Sequence, residues 1–419
     1  MTLAHKLVED TYRPPAAAPN GAPNAPSATL FDKAASYTAA REVQAAGVYP
    51  YYAPIEESTT SEVRIGGRWK VMLGSNNYLG LTHHPEVLAA CERALHKYGS
   101  GSTGSRLLTG TLDLHGELEH RLATLFRKEA ALVFTTGFQV SLGVIATLVG
   151  RGDHAFLDKL DHACIVDGAR LALGEVHRYA HNDVAQLDRQ LAAAPAEAGK
   201  LVVTDGVFSM EGTVADLPGL CEVTRRHGAA LLVDDAHALG VLGEDGSGTA
   251  RHFGLDDQVD MVMATFSKSL ASVGGVVAGP EDALHYLRHH ARALIFTASM
   301  PPASVAGTLA ALDIMAKEPE RRTRLWANTR RMSEGLRAAG LDAGPGETPI
   351  IPVVVGALPR TLKIWRFLFD AGVFVHPVVP PAVPPNECKI RLSMTAEHTF
   401  EQIDRVVEAF ADAIERVPA

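Results

Sequence analysis

Met261-Val262-Met263-Ala264-Thr265-Phe266-Ser267-Lys268-Ser269-Leu270 runs from an apolar stretch into a turn in which hydroxyls flank a single lysine, and the pair Gly274-Gly275 follows. An apolar run of this length that stops at polar turn residues reads as a buried strand, and in open α/β sheets the carboxyl ends of the strands are where ligands bind. A lysine at that edge, with no acid beside it in sequence, is open to partial desolvation. This lowers its pKa and frees the amine for Schiff-base chemistry. The plainer alternative is an exposed surface lysine, where most lysines are found.

The same alternation extends outward on both sides. Candidate strands are Ala131 to Phe134, His154 to Leu157, Leu201 to Thr204, Ala230 to Val233, Met261 to Ala264 and Gly275 to Ala278, separated by helical patterns. Between the first two lies the helix opening at Gly137. Before them lies His115 to Phe126, whose leucines at helical spacing are core. Strands alternating with helices predict an α/β fold with a largely parallel sheet. Upstream, Ser61 to Leu73 reads as a hairpin around Gly66-Gly67, and Ser36 to Ala46 as a helix. After Ala310 the pattern changes to a long charged helix, a strand Ile350 to Val355, a helix Thr361 to Ala371, strands near Val373 and Ile390, and a final helix Thr399 to Val417. These predict a smaller α+β domain. The chain divides into a flexible Pro/Ala-rich tail (residues 1–30), an N-terminal segment (31–75), a large domain (76–305) and a small C-terminal domain (306–419).

Composition excludes several function classes. The 419 residues are 47% hydrophobic, enough for a large core, and the net charge of −9 comes from 48 acidic and 39 basic residues without a basic cluster, so nucleic acid is not an expected partner. Four cysteines without CxxC spacing suggest neither disulfides nor structural zinc, and no metal site is expected. No stretch has the length of a membrane span and no secretory signal is read, so the expected compartment is the cytoplasm. A peripheral membrane contact, which needs only a few residues, stays open.

Further constellations converge on ligand chemistry. Val233-Asp234-Asp235-Ala236-His237 follows a strand, and a carboxylate there can pair with a protonated pyridine nitrogen, although it equally fits a solvated capping turn. Thr135-Thr136-Gly137-Phe138 opens a helix whose first amides make a phosphate seat, a reading compatible with a simple N-cap. His162 can stack on a flat ring or be structural. Ser209 is weak alone, and Arg391 has the fork suited to a substrate carboxylate. The glycine-rich run from Gly99 to Arg106 lacks the P-loop pattern.

The order of these features, together with GSNNYLGL (Gly74 to Leu81), YGSGSTGSRLLTGT (from Tyr98), DGVFSMEG (from Asp205) and FTASMPP (from Phe296), resembles the α-oxoamine synthases, fold-type I pyridoxal-phosphate transferases. The likeness runs from about Gly47 to the C-terminus. DHACIVDGARLA, DDAHALGVLG, TFSKSLASVGG and GVFVHPVVPPAVPP are similar to segments of the bacterial serine palmitoyltransferase branch. Phe138 stands where that branch often has tyrosine, and the long N-terminal tail is a second departure. The resemblance implies a large, mostly parallel seven-stranded sheet domain plus a small domain, with pyridoxal 5'-phosphate as cofactor. It implies Lys268 as the cofactor-bearing lysine and base, Asp234 on the pyridine nitrogen, His237 and Ser209 on the ring hydroxyl, and His162 on the ring face. Gly137 and Phe138 would hold the phosphate with Thr265 and Ser267 nearby, and Thr297 would reach the phosphate of a partner's cofactor across a homodimer interface. Asn77 and Arg391 would face substrate. The implied reaction condenses an amino acid, L-serine, with an acyl thioester, palmitoyl-CoA, to 3-oxosphinganine, CO2 and CoA. Open alternatives are glycine with acetyl-CoA, alanine with pimeloyl-CoA, an acyl-carrier-protein thioester, or a silent partner subunit.

Overall fold

The computed structural model describes residues 29–380 and 382–418. Most of the expected tail, residues 1–30, therefore lies outside the described residues. The strands in chain order are β1 Glu57–Ser58, β2 Glu62–Ile65, β3 Arg68–Met72, β4 Ala130–Phe134, β5 His154–Asp158, β6 Glu175–Tyr179 and β7 Lys200–Asp205. They continue with β8 Ala230–Asp234, β9 Met261–Thr265, β10 Gly275–Gly279, β11 Ile350–Gly356, β12 Val373–Phe374, β13 His376–Val378 and β14 Cys388–Ser393.

Strands β4 to β10 form one seven-stranded sheet in the order β4-β10-β9-β8-β7-β5-β6. Only β10 opposes the others, pairing antiparallel with both β4 and β9, while β9, β8, β7, β5 and β6 pair parallel. The central strands are Val- and Leu-rich without alternation because both faces are covered. Leu231 and Val233 pack with Leu118, Leu122 and Leu220 on one face, and Leu232 packs with Val144, Ile165 and Leu287 on the other. Six of the strands coincide with the apolar runs. The seventh, β6, has the sequence Glu-Val-His-Arg-Tyr and is mostly exposed, as expected of a strand at a sheet edge.

The predicted hairpin is β2–β3, turning at Gly66 and Gly67 with φ of 58° and 72°. It does not stand apart, because β3 pairs in parallel with β12 from the C-terminal part, and Val71, Leu73 and Tyr78 share a core with Leu325, Ile390 and Phe410. The small antiparallel sheet has the order β11-β14-β13. The helix Phe400–Arg416 covers it with Ile403, Val406, Phe410 and Ala413 buried, while Val407 and Ile414 are only partly buried. The single charged helix expected after Ala310 is two helices, Pro302–Lys317 and Glu320–Ala338, separated at Pro319, whose missing N–H cannot continue the first ladder. Near the N-terminus the helix spans Ala39–Ala45. No helix among the described residues is long and apolar enough to cross a membrane.

Candidate active site

Four strands of the large sheet end side by side on polar residues: β5 on Asp158, β7 on Asp205, β8 on Asp234 and β9 on Thr265. Asp205 and Asp234 are register partners. All three carboxylates are buried, so local N–H donors satisfy them. Asp234 Oδ1 accepts from Ala236 at 2.9 Å, Asp205 Oδ2 from His162 at 3.1 Å, and Asp158 Oδ2 from Asn182 at 2.8 Å. Burial raises the Asp234 carboxyl above the usual range, and Lys268 opposes that rise. The carboxyl of Asp205 is raised by burial too, and further by Asp234.

Lys268 lies in the loop that turns β9 back into the antiparallel β10. Burial pushes its amine down to about 8, against the pull of Asp234 and Asp205. Lys268 is half-buried, unlike the exposed surface lysine of the plainer alternative. Lys268, Asp234, His162, His237, Ser209 and Thr265 line one cavity of about 380 Å³, with Gly137, Phe138 and Ser267 on the wall beside Thr265.

That wall is the start of the helix Gly137–Leu148. Thr136 is its N-cap, its hydroxyl accepting from Gln139 at 3.3 Å, and the earliest amides of a helix have no intrahelical acceptor. A side chain on Gly137 has no room, since a Cβ there would lie 2.6 Å from both Cβ and Oγ1 of Thr265. Thr265 is held in turn by Ser267 at 2.9 Å and by the carbonyl of Gly274 at 3.2 Å. The result is a bare backbone edge beside two hydroxyls, a seat for an anion. Gly137→Ala is expected to weaken pyridoxal-phosphate binding at least about tenfold, by pushing Thr265 and the helix start apart. Fluorescence titration of apoprotein checks this, with an unaltered circular dichroism spectrum showing that the fold persists.

His162 caps the helix Ala163–Leu171. Its Nδ1 accepts from the Cys164 amide at 3.2 Å and lies 2.9 Å from Cys164 Sγ. Burial lowers its pKa, and Asp234 pulls the other way. His237 is held by the hydroxyl of Tyr78 at 2.7 Å from Nδ1 and is kept neutral, its pKa well below the usual value, first by burial and then by Lys268. Burial raises the Tyr78 hydroxyl to about 12.

Arg391, on β14, donates from Nε to the Ser209 carbonyl at 2.5 Å and from an Nη to Asn76 Oδ1 at 3.0 Å. Asn77, expected to face substrate, instead turns inward: its Oδ1 accepts from Leu81 at 3.1 Å and its amide donates to Thr82 at 3.0 Å. The residue beside the arginine is Asn76. Thr297 lies beside this chain's own helix start, 3.4 Å from the Gln139 amide. Sequence reading missed Asn76, Tyr78, Cys164 and Asp205. Asp205 carries the same signal as Asp234, an acid ending an apolar strand. Tyr78 and Asn76 give none, because long-range contacts bring them to His237 and Arg391: β3 pairs with β12, and the carbonyls of Leu73 and Tyr78 accept from the amides of Ser393 and Ala396.

A half-buried lysine whose amine is lowered to about 8, a buried carboxylate that favours a cationic partner and a bare helix start suit pyridoxal phosphate. The fold and the site define a pyridoxal-phosphate-dependent transferase of fold type I, and the same architecture is found in SPT solved with PLP as its internal aldimine (TM-score 0.91, 38% identity, covering 93% of this chain and 99% of that one). The chain belongs to the aminotransferase class I and II family, which it matches over residues 68–410. It is 50% identical to the serine palmitoyltransferase of Sphingobacterium spiritivorum, over 90% of this chain and 95% of the relative. It is 42% identical to the 8-amino-7-oxononanoate synthase of Symbiobacterium thermophilum, over 87% and 94%.

Proposed function

We propose that this chain condenses L-serine with a long-chain acyl thioester, palmitoyl-CoA above others, to give 3-oxosphinganine, CoA and CO2. The observation that carries this reading is Arg391, a cation fixed by Asn76 and Ser209 close enough to Lys268 to depress its pKa. A carboxylate receptor there would stand near the amine that handles the amino acid, which supports this reading. The choice of serine and of a long acyl chain is supported by relatives at 42–50% identity that bear the name serine palmitoyltransferase.

When bound, pyridoxal phosphate supplies an electron sink for the pair left as a bond to the amino acid's α-carbon breaks. Lys268 would hold it, with Asp234 toward the ring nitrogen, His162 on the ring face and His237 with Ser209 toward the ring hydroxyl. The amides of Gly137 and Phe138 and the hydroxyls of Thr265 and Ser267 would receive the phosphate. Lys268, its amine near neutrality, takes the α-proton and later returns one to the product. Arg391 grips the substrate carboxylate until it departs as CO2. His162 and His237, both kept neutral, add no charge that would compete with Arg391 for that carboxylate.

A homodimer in the cytoplasm is part of the proposal. Leu108 and Phe296 are 79% and 72% exposed. Their segments are tied together by the Ser299 amide donating to the Gly104 carbonyl, and to the phosphate seat by Thr135 Oγ1 donating to the Ala298 carbonyl. Apolar exposure on segments so linked suits a second copy. From a partner, Thr297 would approach the phosphate.

The test is product formation with serine, glycine or alanine against acetyl-, pimeloyl- and palmitoyl-CoA. Serine with palmitoyl-CoA is expected to be the most efficient pair, and a different productive pair overturns the assignment. Arg391→Ala is expected to raise KM for serine at least about tenfold while leaving KM for the thioester nearly unchanged, since truncating one partner of a buried charged pair costs about 2–5 kcal/mol.

A further inference from the structure

We propose that His154, Glu175 and His177 form a Zn2+ site that clips the edge strand β6 to β5, at the end of the sheet opposite the lysine cavity.

The register builds the cluster. His154 opens β5 and pairs with Glu175, which opens β6, and Phe156 pairs with His177. Side chains two apart on a strand share a face, so His154, Glu175 and His177 project from the same side of the sheet. Their donor atoms converge. His154 Nδ1 and His177 Nε2 are 2.9 Å apart, and Glu175 Oε2 lies 3.9 Å from the first and 4.0 Å from the second. The point in their plane equidistant from all three atoms is about 2.1 Å from each, which is the length of a Zn–N or Zn–O bond.

The two imidazoles are already paired. They are tilted by only 16° with centroids 5.1 Å apart, which, with the nitrogens at 2.9 Å, sets them edge to edge in a nitrogen-to-nitrogen hydrogen bond that Zn2+ would replace by turning both rings toward Glu175. His177 is also stacked on Phe156 at 4.8 Å, which fixes its plane. Exposure is graded: the His154 side chain is 9% exposed, His177 32% and Glu175 74%. A fixed inner ligand, a half-open second and a mobile carboxylate leave the outer side free for a water as fourth ligand.

The site is remote from the chemistry. β5 spans five residues from His154 to Asp158, roughly 13 Å at strand rise, so metal here would not touch the cofactor. Its expected effect is on the edge strand, which pairs with β5 alone.

The test uses holoenzyme stripped with EDTA and titrated with ZnCl2 by calorimetry, with Tm followed in parallel. Wild type is expected to bind one Zn2+ per chain tightly and to gain Tm. His177→Ala should weaken that binding at least about tenfold and lose the gain in Tm. Glu175→Gln, on an exposed side chain that the fold does not need, should weaken it in the same direction and keeps the test valid if His177→Ala misfolds. His285 and His289 make a competing pair on one helix face. The double variant H285A/H289A is therefore expected to retain the tight site, and Zn2+ is expected to leave the cofactor absorbance unchanged. The proposal is overturned by wild type that binds no Zn2+, by tight binding that survives both His177→Ala and Glu175→Gln, or by tight binding lost in the helix-pair variant.

Discussion

Lys268→Ala is expected to lower turnover by more than about 10³-fold, because in the proposed mechanism it would remove both the amine that carries the cofactor and the base that moves the α-proton, and a positioned base alone contributes about 10²–10⁴. The protein should still bind pyridoxal phosphate without a covalent bond, since the seat at Gly137, Thr265 and Ser267 and the carboxylate of Asp234 are untouched. The electrostatic consequence runs the other way. Lys268 holds the carboxyl groups of Asp234 and Asp205 below the values burial alone would give, so its loss lets both rise and weakens Asp234 as an anion. Lys268→Arg separates the positive charge from the amine chemistry. It keeps the cation beside Asp234 but offers no amine that deprotonates near neutrality. Both variants are expected to be inactive, and borohydride reduction followed by peptide mass mapping should mark residue 268 only in wild type. Turnover above a tenth of wild type in Lys268→Ala would remove this lysine from the chemistry.

What the sequence makes legible follows from how each residue is recruited. Asp234, Lys268 and Gly137 stand at the ends of β8 and β9 and just after β4, where an apolar run breaking into a polar turn marks the carboxyl edge of the sheet. These are local signals, readable before any strand is paired. The edge strand β6 was hidden by the same logic: with solvent beside it, its sequence has no apolar run to betray it. Asn76 and Tyr78 were hidden for a different reason. They reach Arg391 and His237 because β12 adds to the N-terminal hairpin and because Ser393 and Ala396 bond to Leu73 and Tyr78, long-range pairings with no local sequence mark. The neighbouring asparagine drew the assignment instead, and its amide is occupied in its own turn by Leu81 and Thr82. The cluster His154, Glu175 and His177 is of the same kind, because its members meet through strand register and carry no metal-ligand spacing.

Asp234→Asn carries the second large expected effect, and it acts on activity and stability in opposite senses. The side chain is buried, and its Oδ1 accepts from the Ala236 amide at 2.9 Å, a bond that an asparagine oxygen can keep, so the turn after β8 should be preserved. What is lost is a negative charge that burial already disfavours. Stability of the apoprotein is therefore expected to hold or rise, as when a costly buried ion is neutralised without a change in shape. The holoenzyme behaves differently. A protonated ring nitrogen facing the neutral amide of the variant would be a buried cation without its counter-charge, and breaking such a pair costs about 3–5 kcal/mol. At 1.36 kcal/mol per decade this is a fall in kcat of roughly 10² to several thousandfold. Cofactor affinity should fall as well, while KM for the acyl thioester should change little because that substrate makes no use of the carboxylate. The decisive measurement is kcat and apoprotein Tm on the same preparation. A variant whose kcat stays within threefold of wild type means that Asp234 does not set the charge of the ring, whereas a large loss in kcat with an unchanged or higher Tm means that it does.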